Sequence, residues 1–315
     1  MLDIKTSAFA SLALVTLACG CNKLFHERDD GAGPRPASIS RTALDTRNLP
    51  GISDLTRTAD GRYYAIPERA RFLLPLILDD GPPRLAADPI PIDGIPDGLD
   101  TESLASIAGR GDGHNRFATG TESMSPSRYS DDIFILEIEA GRAFFRRRIS
   151  VNYDQWNFRA PMNQGIEALC ASGPTGQYLY VAIEGTKDLD GRRHAPFGRI
   201  DLASGALVPS WLPLTTKSGR ISGMTCNEVG SQTQLFAIER HYGVSRVLGF
   251  TLKGAMPERL EDTIAVNLAG ALIPIPNLEG IARAGNGELL LISDNDTGGV
   301  SGPTEIVRVK LPSVP

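Results

Sequence analysis

The sequence predicts an all-β protein, a β-propeller of four-stranded blades, and three observations lead there. One pattern recurs along most of the chain: "GISDLTRTADGRYYAIPER" from Gly51, "DTESLASIAGRGDGHNRFATGTE" from Asp100, "QGIEALCASGPTGQYLYVAIEG" from Gln164, "GRISGMTCNEVGSQTQLFAIER" from Gly219 and "NLEGIARAGNGELLLISDND" from Asn277. Each copy is an apolar run, a turn and a second apolar run. Most copies continue into further apolar runs joined by short hairpin signals such as "AGR" and "SG". No long stretch carries apolar residues at helical spacing.

The amino terminus, "MLDIKTSAFASLALVTLACGC", joins a charged start with Lys5 to an apolar run of about sixteen residues, too short to span a bilayer and suited to a signal sequence. Its end, "LACGC", has the form of a bacterial lipoprotein box, with Cys21 after Gly20 as the lipidated residue and Cys19 after Ala18 as the alternative. Residues 1–21 are expected to be a lipoprotein signal peptide. Residues 22–37, polar and rich in Gly and Pro, read as a flexible tether, and residues 38–315 as the propeller. This organisation implies an exported protein of the bacterial cell envelope, facing the periplasm and touching the membrane through its lipid alone.

Blade number follows from the strands. The last unit has two strands and "TEIVRVKLP" as a third, whereas "ASISRTALDT", ahead of the first unit, has no partners of its own. The amino-terminal strand is therefore expected to complete the last blade and remove its free edge. The count is five blades, or six if one unit conceals a merged pair. The 315 residues, 41% hydrophobic, with 33 Gly and 22 Pro, suit one body with many turns. A net charge of −5 argues against a nucleic-acid partner.

Aligned on their turns, the units place Asp54, Glu102, Glu167, Gly223 and Glu279 in one column and Glu68, Glu122, Glu184, Glu239 and Asp294 in a second. The first strand of a propeller blade starts at the face where the second ends. Both columns should therefore meet near one mouth of the channel, an inner and an outer acidic ring. Carboxylates crowded in this way raise one another's pKa unless cations neutralise them. Many oxygen ligands without a His or Cys cluster favour Ca²⁺, with Asp54, Glu102, Glu167, Glu279 and Asp294 as the expected ligand set. Arg69, Arg128, Arg193 and Arg240 follow the outer column and are the expected holders of an anionic substrate. His26, His114, His194 and His241 are scattered and read as surface residues. Cys170 and Cys226 occupy the same position in adjacent units; pointing the same way around a ring, they are expected to be two buried thiols, with a disulfide as the alternative.

"NQGIEALCASGPTGQYLYVAIEG", "NLEGIARAGNGELLLISDND" and "GISDLTRTADGRYYAIPER" resemble the phytase-like propeller family, described as having esterase-like activity, over roughly residues 38–312. The resemblance implies an envelope propeller with an acidic cluster at one channel mouth, a Ca²⁺-dependent esterase or phosphoesterase acting on a small anionic ester through metal-bound water. The alternative is a non-catalytic binding or scaffold lipoprotein with an envelope partner. No Gly-x-Ser-x-Gly elbow, Gly-rich phosphate loop or dinucleotide fingerprint is present.

Overall fold

The computed structural model describes residues 33–46, 49, 51–108, 115–173, 176–241, 243–253, 263–295 and 302–312. The expected signal peptide with Cys19 and Cys21, most of the tether, and His26 and His114 lie outside the described residues.

The chain is all-β, a β-propeller with no α-helix among the described residues. In order, its strands are β1 (Ser38–Ala43), β2 (Ile52–Arg57), β3 (Tyr63–Pro67), β4 (Phe72–Ile77), β5 (Arg84–Leu85), β6 (Ile90–Asp93), β7 (Leu99–Ile107), β8 (Arg116–Ser123), β9 (Ser130–Glu139), β10 (Arg142–Asn152), β11 (Ile166–Ser172), β12 (Tyr178–Ile183), β13 (Lys187–Leu189), β14 (Arg192–Asp201), β15 (Leu207–Pro213), β16 (Arg220–Val229), β17 (Gln232–His241), β18 (Val244–Lys253), β19 (Thr263–Asn267), β20 (Leu278–Arg283), β21 (Glu288–Ser293) and β22 (Glu305–Lys310).

These form four hydrogen-bonded sheets. The nine-stranded one runs β2-β3-β4-β6-β10-β9-β8-β7, with β5 paired to β4 off this path, because β6 pairs antiparallel with β4 and parallel with β10. The others are β11-β12-β14 with β13 and β15 alongside, β16-β17-β18-β19, and β1-β22-β21-β20. The expected meeting of the first and last strands is present: β1 pairs antiparallel with β22 over six residue pairs. At the end of the tether, Ala37 N–H donates to the Lys310 carbonyl and the Pro34 carbonyl accepts from Asn267.

Five strands line the centre and pack side by side in the cycle β2, β7, β11, β16, β20 and back to β2. They belong to different sheets or to opposite ends of one, so side chains bridge them. Ser103 Oγ donates to the Ile166 carbonyl at 3.0 Å and Ser222 Oγ to the Leu278 carbonyl at 2.8 Å. The approach is close enough that a Cβ on Gly280 would stand 2.6 Å from the Asp54 backbone. The apolar residues divide into clusters between successive sheet segments. A middle strand is therefore covered on both faces, which is why β21, "ELLLIS", reads as a continuous apolar run rather than an alternation.

Each of the five central strands carries a β-bulge near its start, between Ile52 and Asp54, Thr101 and Ser103, Ile166 and Ala168, Ile221 and Gly223, and Leu278 and Gly280. The extra residue at each bulge is Ser53, Glu102, Glu167, Ser222 and Glu279 in turn. A bulge re-aims one side chain without disturbing the rest of the ladder.

Cys170 and Cys226 form a disulfide, with Cα atoms 5.5 Å apart. The expectation of two thiols is corrected: equivalent residues of neighbouring central strands stand side by side, and that adjacency suffices for a bond.

Candidate active site

The starts of the central strands open into a cavity of about 300 Å³. Its wall includes seven carboxylates, Glu68, Glu102, Glu122, Glu167, Glu184, Glu279 and Asp294, against two arginines, Arg220 and Arg240. Both acidic columns meet there. The bulges supply Ser53, Glu102, Glu167 and Glu279, and the ends of the second strands supply Glu68, Glu122, Glu184, Arg240 and Asp294.

Register corrects two column assignments. In the first unit the bulged residue is Ser53, so Asp54 falls one position past the cavity. It is fully buried and accepts backbone N–H bonds from Leu55 and Leu104, both at 2.6 Å, and from Ile281. Burial pushes its pKa well up against those three donors. Asp54 stitches β2 to β7 and β20 and does not face the ring of acids. In the fourth unit Ile221 pairs with Glu239, which makes Ser222 and Arg240, not Gly223 and Glu239, the equivalents of the two columns. Glu239 is buried and accepts from the backbone N–H of Thr215 at 3.1 Å and of Thr216 at 2.9 Å, and from both threonine hydroxyls. It caps its own loop.

The arginines divide likewise. Arg240 forks onto Glu279, with Nε 3.0 Å from Oε2, while Asn277 donates to Glu279 Oε1 at 2.7 Å. Arg69 reaches Glu68 at 3.0 Å from an exposed position. Arg128 lies outside the cavity in a buried network, forked onto Asp131 and donating to the Ser125 and Pro161 carbonyls, with Tyr153 also on Asp131 at 2.6 Å. Arg193 is held by Thr186 at 2.7 Å and by the Lys217 carbonyl, away from the cavity. Two residues that sequence reasoning missed do contribute. Arg220 lines the cavity 3.4 Å from Glu184, and Asp100 joins Glu68 and Glu102 with ligand oxygens all within 4.8 Å of one another. Both stand two residues before the bulge of their unit's first strand, a position the acidic columns leave unread. His241, expected on the surface, lines the cavity, whereas His194 hydrogen-bonds the Arg192 carbonyl.

Packing holds these acids in place. A Cβ on Gly165 would stand 2.3 Å from that of Glu122, so glycine there makes room for the carboxyl. Glu122 is 1% exposed, and its Oε2 is buried with no hydrogen-bond partner. Burial is the main reason its pKa rises to about 8, opposed by Arg128 and reinforced by Glu184, Asp131 and Asp100. Burial, then Glu122, Glu68 and Glu279, push Glu102 well up; burial, then Glu184, Glu102 and Glu122, do the same for Glu167. Burial lifts Glu279 to about 7 despite Arg240.

A family model described as "Phytase-like: Esterase-like activity of phytase" matches residues 47–297. The chain belongs to this phytase-like family. No curated protein matches the sequence significantly. Similar solved structures include the exo-β-1,3-galactanase of Phanerochaete chrysosporium with galactose (8% identity, 89% of this chain and 67% of that one, TM-score 0.54). Others are the major Malassezia sympodialis allergen Mala s 1 (11%, 83% and 92%, 0.49) and the Nup133 β-propeller domain of Vanderwaltozyma polyspora (10%, 82% and 71%, 0.42). At these identities the likeness concerns fold alone. Membership in the family gives the acidic cavity an esterase-like context.

Proposed function

We propose that this phytase-like chain is a Ca²⁺-dependent esterase of small anionic esters, phosphate esters foremost, with the acidic cavity as its active site. The observation that carries the reading is the buried, unpartnered carboxylate oxygen of Glu122 in a wall of seven acids and two arginines. The donor set fits a hard cation: oxygen ligands, three of them within 4.8 Å of one another. Glu68, Asp100 and Glu102 would hold it, with Glu122 beside them. When bound, Ca²⁺ supplies Lewis-acid polarisation of the ester oxygen and compensates the surrounding negative charge. Arg220 turns its guanidinium toward the cavity beside Glu184 and suits an anionic ester group. Glu167, whose pKa is pushed well up by burial and by the neighbouring Glu184, Glu102 and Glu122, suits proton donation to the leaving alcohol.

Five four-stranded blades, the last completed by β1, are part of the same proposal, supported by the cycle of central strands and the β1–β22 ladder. So are export and lipidation at Cys21, with Cys19 as the alternative, supported by the disulfide, which suits an oxidising compartment. The envelope location would leave lipid as the only membrane contact.

The test uses the chain from residue 22 onward with p-nitrophenyl phosphate and p-nitrophenyl acetate, in Ca²⁺ and in chelator. Turnover in Ca²⁺, lost in chelator and reduced about a hundredfold or more in Glu102→Gln, is expected. Equal turnover in chelator, or no effect in Glu102→Gln, would exclude the proposed site.

A further inference from the structure

Farther along the same central strands lies a second cavity, of about 170 Å³. Glu279 of the acidic mouth and Arg283 of this second cavity are four residues apart on β20, about 13 Å at ~3.3 Å per residue, so the two cavities face opposite ends of the channel. Their walls are opposite in charge. The second is lined by Arg57, Arg283, Ser106, Thr225 and Asn227, with the Cys170–Cys226 disulfide in its side, and no carboxylate lines it among the described residues.

Arg283 Nη1 is buried and has no hydrogen-bond partner. Its guanidinium carbon lies 5.9 Å from the centre of the Phe236 ring, and burial holds its pKa below the usual arginine range. Arg57 lies 5.7 Å over the Tyr63 ring. Its Nη2 is 3.1 Å from where a Cβ on Gly61 would stand and 3.4 Å from one on Gly285, so it spans the turns after β2 and β20. Two acids adjoin this wall in sequence and both are engaged elsewhere: Asp60 accepts from Arg62 at 2.8 Å, the first cause of its low pKa of about 2, and Glu228 accepts from Ser172, the Gly173 N–H and Thr233. Neither accepts a hydrogen bond from Arg283.

We propose that this end of the channel is a binding site for a small oxyanion of phosphate or sulfate type, held between Arg57 and Arg283 with Ser106, Thr225 and Asn227 as further donors. A buried guanidinium N–H without an acceptor is costly, and an oxyanion supplies the acceptor and the opposite charge together. The cavity is several times the ~30 Å³ of one water, room for such an ion. The site is independent of the ester-hydrolysis proposal, since none of its residues belongs to the acidic cavity.

Isothermal titration of the folded chain with inorganic phosphate, in chelator and at low salt, tests it. Saturable one-site binding is expected, weakened about tenfold or more by Arg283→Gln and by Arg57→Gln, and unchanged by Glu102→Gln. Arg283→Lys, which keeps the charge but loses the fork, should fall between, and it decides the matter if Arg283→Gln does not fold. No saturable binding below about 10 mM phosphate, or binding equal to wild type in the arginine variants, would overturn the site.

Discussion

Glu122 gives the sharpest quantitative expectation. Its carboxyl titrates at about 8 in the folded protein against an ordinary 4.5. Between those values the folded state holds a proton that the unfolded state has released, so stability falls as pH rises through the window. At about 1.4 kcal/mol per pH unit, the full span is worth on the order of 5 kcal/mol. The stabilisation is complete below about pH 4.5 and gone above about 8. Glu102, Glu167 and Glu279 shift in the same direction and steepen the slope. Glu122→Gln keeps the shape of the side chain and removes its titration. The assay is urea unfolding in chelator at steps from pH 5 to pH 9, for wild type and variant. Wild type should lose stability across the window, and the variant should lose distinctly less. Identical slopes, or a wild type that gains stability toward pH 8, would refute the assignment of the buried proton to Glu122. Millimolar Ca²⁺ should flatten the wild-type curve, because a ligand bound only by the native state adds stability as RT ln(1 + [L]/Kd).

Three further outcomes are expected. Arg240→Met should destabilise by about 3–5 kcal/mol, since it leaves the Glu279 carboxylate buried and unpaired, whereas Arg240→Met with Glu279→Leu should cost less than the single change; urea midpoints compare them. Removing the Cys170–Cys226 disulfide, which closes a loop with a sequence separation of 56, should cost about 2–4 kcal/mol, visible as a lower denaturant midpoint in the double Cys→Ala variant and in reductant. Gly280→Ala places a methyl 2.6 Å from the Asp54 backbone and should destabilise by about 1–3 kcal/mol or more, read by thermal unfolding.

The repeat exposes the fold in the sequence because each unit repeats the same turn and the same apolar runs, and the last unit lacks the strand that the amino-terminal segment supplies. The cavity is legible to within one residue. A β-bulge adds a residue to one strand and none to its partner, and nothing in the letters marks where it falls. An acid at the bulge in three units makes the column plain. In the first unit Asp54 attracts the alignment away from Ser53, and in the fourth Glu239 attracts it away from Arg240. Arg128 shows the other limit: Asp131 is three residues away, but Pro161 and Tyr153, which complete the buried network, come from a later segment, so the burial itself has no local signal. The disulfide escapes for a related reason, since pairing rests on lateral spacing between central strands and not on which way each side chain points.

The ladder between β1 and β22 has a consequence for how the chain bears load. Residues 38–43 and 305–310 run antiparallel, so a pull that separates residue 38 from residue 310 falls first on this one six-pair ladder. Its bonds are few, and the side chains of β1 are largely exposed. Apart from the two-pair contact of β6 with β10, the remaining ladders join strands close in sequence and stay intact while this one opens. The seam is thus the place where the described fold would part under tension, and a circular permutant cut at the Ala140–Gly141 turn, with residues 38 and 310 linked, would move that weak point to another sheet.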